Sequence, residues 1–287
     1  MSLPSLANWG TTAHNLHKAA RVLGVLRMVR LPHVPNYLEM ALKIRPEGLS
    51  TDVLPGGSEV LLDFRRASLS AFAQGVQIAS IPLAGQNQTS LLKALLSTLK
   101  SGELAGILKD VDEDALIDRF LSAASAAGHD LSSPENQISG SEPLDIDQRL
   151  SQDYGQALYR IFTGVARFRA HLNGPQTPVV VWPGHFDLSF LWFATERAEE
   201  SAPHMNFGFA PYGGGIDDPY LYAYAYPMPP AQGNTTLPDV PAPAYWHTQG
   251  WTGVVLPYSS IAAASDPEGY VEQMCERIFR ALRPLLG

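Results

Sequence analysis

Between Tyr220 and Tyr226 the chain alternates strictly: Tyr220, Tyr222, Tyr224 and Tyr226 are interleaved by Leu221, Ala223 and Ala225. A period of two is that of a β-strand, whose successive side chains point to opposite faces. All four phenols then occupy one face and the small apolar side chains the other. A phenol combines flat apolar area with a hydroxyl. A row of them lines either a ligand pocket or one wall of a core with the hydroxyls at its edge.

This strand closes a longer aromatic- and glycine-rich run, Trp182 to Pro230. At its start, Pro183-Gly184 turns the chain ahead of a strand expected over Phe186 to Phe193. His185 and Asp187, two residues apart, are expected to share one face of it. Imidazole and carboxylate are suitable ligands for a divalent metal, and equally an acid/base couple near neutral pH. The plainer alternative is a satisfied polar pair at a strand entrance. Glu39, on the non-aliphatic face of a strand expected over Tyr37 to Arg45, joins His185 and Asp187 if that face lines the same cavity. Otherwise it is a solvent-facing glutamate. His204, ahead of a strand over Met205 to Phe209, is a further ligand or a loop histidine. Trp182, Tyr37 and Tyr212 join the four tyrosines as candidate ligand-contacting aromatics. Gly213, Gly214 and Gly215 permit unusual dihedrals or close backbone approach and read as a flexible loop. Asp217 and Asp218 beside them fall far short of a calcium loop.

The remaining elements alternate in blocks. A helical stripe over Leu6 to Val29 ends at Pro32 and Pro35, with Lys18, Arg21, Arg27 and Arg30 as its solvated side and end. Strands over Glu59 to Phe64, Ser70 to Gln77 and Ile78 to Leu83 form an antiparallel meander. Helices follow from Ser90, over Glu113 to Ala127 and over Asp147 to Leu172. After a second group of strands, Pro267 opens the last helix. Blocks of helices and strands in this order predict an α+β fold, with largely antiparallel sheets packed against several amphipathic helices. The Ser-, Pro-, Asn- and Gly-rich segment 129–145 is a surface loop within one domain spanning 1–287, or else a domain boundary.

Charge and composition narrow the partners. A formal net charge of −8 disfavours nucleic acid, whose partners present basic patches. No stretch approaches the ~20 apolar residues of a transmembrane helix. The amino terminus lacks the charged and apolar regions of a signal peptide, so a cytoplasmic location is expected. Cys275, the one cysteine, sits at helical spacing among apolar residues and reads as a small core residue. GxSxG, Walker A, GxGxxG, HExxH and CxxC patterns are absent, which disfavours common serine hydrolases, nucleotide kinases, dinucleotide enzymes and zincins.

The segments PNYLEMALKIRPEGLST (Pro35–Thr51), GHFDLSF (Gly184–Phe190), DPYLYAYAYPMP (Asp218–Pro229), VVLPYSSI (Val254–Ile261) and SDPEGY (Ser265–Tyr270) resemble the bacterial family catalogued as domain of unknown function (DUF) 5996, of which the chain looks like a divergent member. The family pattern has an asparagine followed by a histidine- and tryptophan-rich cluster, and a histidine ahead of the FDL strand. Here Asn36 is followed by Tyr37-Leu38-Glu39, and Val179 and Val180 stand where that later histidine is expected. His185 occupies a place usually given to a small residue. If the family's histidines form a metal or catalytic site, the resemblance implies that this chain has lost or rebuilt it, with Glu39 and His185 as one rebuilt set. Three functions follow as expectations: a small-molecule or metal-binding enzyme with its site near 182–230, a non-catalytic ligand-binding module using the tyrosine face, or an interaction scaffold.

Overall fold

The computed structural model describes residues 2–133, 136–138, 140–228 and 237–286. Pro229 and Pro230, which end the aromatic run, and three residues of the 129–145 segment lie outside them. The chain divides into two compact units: Leu6–Gly155 with Val181–Phe186, and the residues up to Ser5 with Gln156–Val180 and everything from Asp187 onward.

In the first unit, α1 (Gly10–Arg30) carries Leu16, Ala19, Ala20, Val22, Leu23 and Leu26 without exposure. Its basic residues are not simply a solvated side. Arg27 is buried, donating to the carbonyl oxygens of Glu39 at 3.0 Å, Leu38 at 3.2 Å and Thr51. Arg30 pairs with the buried Glu103 at 2.7 Å. An antiparallel meander follows in sequence order: β1 (Lys43–Arg45), β2 (Gly48–Ser50), β3 (Ser58–Asp63), β4 (Ser68–Ala73) and β5 (Val76–Pro82). The strand expected over Ser70 to Gln77 is cut where Gln74 and Gly75 take φ of 51° and 77°, the two left-handed residues of a tight hairpin.

The strand expected over Tyr37 to Arg45 shrinks to β1. Asn36 and Tyr37 take φ of 61° and 54° within a 3-10 turn at Pro35–Tyr37, which no extended strand admits. Helices α2 (Gln88–Leu99), α3 (Ala105–Leu108), α4 (Leu116–Ala126) and the first two turns of α5 (Gln148–Ala170) complete the unit. Asn87 and Ser90 form a capping box that fixes the start of α2. The described residues of the 129–145 segment fall in this unit, where His129 meets the Met28 carbonyl at 2.9 Å and Leu144 N–H donates to Gln86 O at 2.7 Å.

The second unit holds most of a six-stranded antiparallel sheet in the order β10-β11-β9-β8-β7-β6. These are β6 (Val180–Trp182), β7 (Asp187–Phe193), β8 (His204–Ala210), β9 (Tyr220–Tyr226), β10 (Tyr245–His247) and β11 (Gly253–Pro257). Short α6 (Tyr258–Ala262) leads to α7 (Pro267–Leu282), which starts at a proline with Asp266 accepting from Gly269 N. One face of the sheet is an ordinary core: Phe190 and Phe207 stack at 5.9 Å, and Phe168 of α5 and Phe279 of α7 pack on Phe207 at 4.9 and 6.3 Å. Cys275 is fully buried in this layer, and burial pushes its thiol pKa up, so the small-core reading of it stands. The α+β architecture with antiparallel sheets is as the element order predicts. Among the described residues no helix is long and apolar enough to cross a membrane.

Candidate functional site

The opposite face of the same sheet is built differently. In antiparallel strands directly paired residues share a face. The register pairs Tyr220, Tyr222, Tyr224 and Tyr226 with Ala210, Gly208, Asn206 and His204 of β8. Those in turn continue through Ser189, Leu191 and Phe193 of β7, and on the other side through Pro257 and Val255 of β11 to Tyr245 of β10. Most of these residues are small, polar or aromatic rather than aliphatic. Exposure along the tyrosine row climbs from 5% at Tyr220 and 8% at Tyr222 to 44% at Tyr226, with Tyr224 half-buried.

Two sheet glycines make room for the rings. A Cβ at Gly208 would lie 2.3 Å from the Tyr222 ring, and one at Gly253 would lie 2.4 Å from the Trp251 ring. Because β8 carries no side chain at Gly208, the Tyr222 ring lies across it and its hydroxyl reaches β7, two strand spacings or about 10 Å away. There it donates to Asp187 Oδ2, with Ser189 hydrogen-bonded to the same phenol. Asn206 Nδ2 donates to the Tyr224 hydroxyl at 2.9 Å, and Tyr220 donates to Gly213 O at 3.0 Å. The rings of Tyr222 and Tyr224 run nearly parallel, 7° apart at 6.3 Å, and Trp251 stands edge-on to Tyr222 at 6.2 Å.

The glycine-rich segment is ordered into this arrangement and is not a loose loop. Gly213 and Ile216 exchange backbone hydrogen bonds at 2.9 and 3.0 Å around Gly214 and Gly215, whose φ are 60° and 83°. This is the two-residue hairpin turn that needs left-handed residues at both central positions. Trp251 Nε1 donates to Gly214 O at 2.9 Å, and a Cβ at Gly214 would meet that nitrogen at 2.6 Å.

Electrostatically the face is a set of neutral donors around one carboxylate. Burial, then the Asp187 charge, pushes the Tyr222 phenol pKa well above its ordinary value. Burial likewise drives Tyr220 up to about 12, with Asp187 and Tyr245 adding to it. Tyr224 is raised chiefly by burial, against the hydrogen bond from Asn206. His204 has its pKa lowered by burial; its Nδ1 donates to Ala202 O at 2.8 Å and its ring stacks on Tyr226 at 5.1 Å. Asn206 Oδ1 is buried with no hydrogen-bond partner among the described residues.

The family model described as "Family of unknown function (DUF5996)" matches residues 2–118 and 141–285. The chain belongs to this family. No curated protein and no solved structure matches it. The family membership supplies no reaction.

The other candidate residues of this DUF5996 protein fall elsewhere. His185 is not on a strand. It is exposed in the turn between β6 and β7, where Phe186 takes a φ of 60°. The two-residue spacing to Asp187 therefore has no strand geometry behind it. Glu39 is buried in the turn after the 3-10 segment, not on a strand face, and its two oxygens accept from His33 Nδ1 at 2.8 Å and Val34 N at 3.2 Å. Among the described residues no group of three or more His, Cys, Asp or Glu is placed to hold a metal ion, and Glu39, His185 and Asp187 do not make one. Glu39 is satisfied by neighbours of its own, and Asp187 accepts from Tyr222 through Oδ2. Tyr37 is exposed beside His33, Trp182 is half-buried on β6, and Tyr212 is half-buried just before the glycine hairpin.

Several residues that build the face carried no motif. Gly208 and Gly253 are visible only as glycines inside or at the end of strand patterns, a recognised mark of close ring or backbone approach. Ser189 and Asn206 take their places through register, and Trp251 from the bend just before β11 through its bond to Gly214 O. His17 is the other omission. It lies buried on α1, its Nε2 donates to Gly184 O at 2.9 Å, and its ring stacks on Phe186 at 5.3 Å, so it fastens the turn that carries His185.

Proposed function

We propose that this DUF5996 protein is a non-catalytic binding protein that takes a small organic molecule on the tyrosine face of its second unit. The observation that carries the reading is the pair of seats at Gly208 and Gly253. They let the Tyr222 and Trp251 rings close over bare glycine positions, edge-on to each other, while Tyr224 and Trp251 stay half-buried rather than sealed. Aromatic faces supply most of the contact area in small-molecule sites, and a few fixed polar groups set orientation. Here the orienting groups are the Tyr224 hydroxyl and the buried acceptor Asn206 Oδ1. Asp187 accepts from a phenol whose pKa is raised, an arrangement suited to holding a ring in place and ill suited to moving protons near neutral pH.

A thermal-shift screen of small organic compounds tests this. Hits are expected that Tyr224→Ala abolishes and His185→Ala leaves intact. Hits indifferent to both Tyr222→Ala and Tyr224→Ala, or a screen with no hits, overturn it.

A further inference from the structure

The class of ligand can be narrowed from the charge on the face. Asp187 puts a carboxylate among three phenols, Tyr220, Tyr222 and Tyr224, each of which feels its charge. Glu200 adds a second negative influence on Tyr224 and on His204. Among the described residues no lysine or arginine answers them from the sheet, and the imidazole on this side of β10, His247, packs its ring against Trp251 at 4.9 Å. The residues that β7, β8, β9, β11 and β10 present on this face include no Lys or Arg among those described, and His204 is held toward its neutral form by burial. The phenol–carboxylate hydrogen bond also acts on the ring. A phenol that gives its proton toward a carboxylate gains electron density, which deepens the negative potential over its π face. Trp251 stacks on Tyr220 at 6.4 Å and stands edge-on to Tyr222 at 6.2 Å, and tryptophan offers the most favourable face for a cation.

Negative potential, several aromatic faces and no lysine or arginine on the face among the described residues together favour a positively charged guest with little hydration to lose. A methylated ammonium meets that description, because it has no strong hydrogen bonds to water and fits a ring face by shape and charge together. An anion would meet only repulsion here. A neutral compound of the same shape would gain the contact area and lose the electrostatic part.

We propose that the ligand of this face is an organic cation of the quaternary-ammonium class, held over the Tyr224 and Trp251 rings beside the Asp187 carboxylate. The proposal rests on the ligand-binding reading above and specifies its chemistry.

Choline and its neutral isostere 3,3-dimethylbutan-1-ol separate the two, titrated into the full chain by calorimetry with tryptophan fluorescence in parallel. Choline is expected to bind about tenfold or more tightly than the isostere, the size of a partly desolvated cation–π contribution. Asp187→Asn, which keeps an acceptor for the Tyr222 hydroxyl, is expected to bring the two probes together. Trp251→Leu, at a half-buried position, is expected to weaken choline more than the alcohol. Equal binding of both probes, lost together in Tyr224→Ala, overturns the cation class and leaves the ligand-binding reading standing. So does failure of both probes while a Tyr224-dependent hit from the screen persists. Tighter binding of the alcohol also overturns it. If neither probe nor any screened compound binds, both readings fall.

Discussion

His17 shows how much one buried side chain sets in this protein. Burial, reinforced by Arg21, lowers its pKa from 6.5 to about 3 against the opposing hydrogen bond to Gly184 O. In the unfolded chain the same imidazole protonates below about pH 6.5. Between pH 6.5 and 3 the unfolded state therefore binds more protons at this site than the folded state does. Stability rises with pH across that window and is lost as the solution is acidified, with a slope from this one group of up to about 1.4 kcal/mol per pH unit. Urea denaturation of the wild type and His17→Gln at pH 7, 6, 5 and 4 measures it. The glutamine keeps a donor for the Gly184 carbonyl and cannot titrate, so its stability is expected to fall less steeply. Parallel slopes would mean that another group sets the acid limit.

At the scale of elements, Gly208 on β8 shows where sequence patterning stops. Alanine in a strand interior gains about 0.5–1 kcal/mol over glycine in conformational entropy. Here the added Cβ would lie 2.3 Å from the Tyr222 ring and 2.6 Å from Leu188 O, and neither is the free end of a flexible chain. Overpacking of that kind costs about 1–3 kcal/mol and wins. Gly208→Ala is thus expected to lower the midpoint of thermal unfolding and to remove the ligand-induced shift, readable in one melting series with and without a screening hit. β9 itself was legible to the residue because its period of two runs unbroken over seven residues of β-favouring tyrosines and small apolar side chains. The meander of β3, β4 and β5 was nearly so. The strand expected to carry Glu39 was not, since its alternation from Tyr37 matches a strand equally well. Only the left-handed backbone of Asn36 and Tyr37, fixed by burial of Glu39 and the Arg27 clamp, decides against it. The His185–Asp187 spacing misled for the same reason: a turn ending in Phe186 intervenes, and His17 holds it from a distance of 167 residues in sequence. Contacts of that range leave no local pattern.

At the scale of the molecule, the two compact units are not two consecutive stretches of chain. The chain passes between them at Ser5, within α5 after Gly155, after Val180 and after Phe186. The 129–145 segment, which composition marks as the best place for a boundary, lies inside one of them. A cut there gives fragments 1–145 and 146–287, and the first lacks part of its own core. Tyr154 of α5 stacks on Trp9 at 4.4 Å and meets Phe64 edge-on at 5.5 Å, and Phe186 covers His17. Losing both rings strips two large buried side chains from one core, and each such loss costs about 3–5 kcal/mol against a total stability of about 5–15 kcal/mol. Fragment 1–145 is therefore expected to show no cooperative thermal transition by circular dichroism when expressed alone. Extending it with Ile146–Gly155 restores Tyr154 and the α5 contacts but not Phe186, so a weak transition is expected from 1–155. A sharp, wild-type-like melt from 1–145 would place the boundary at the loop after all.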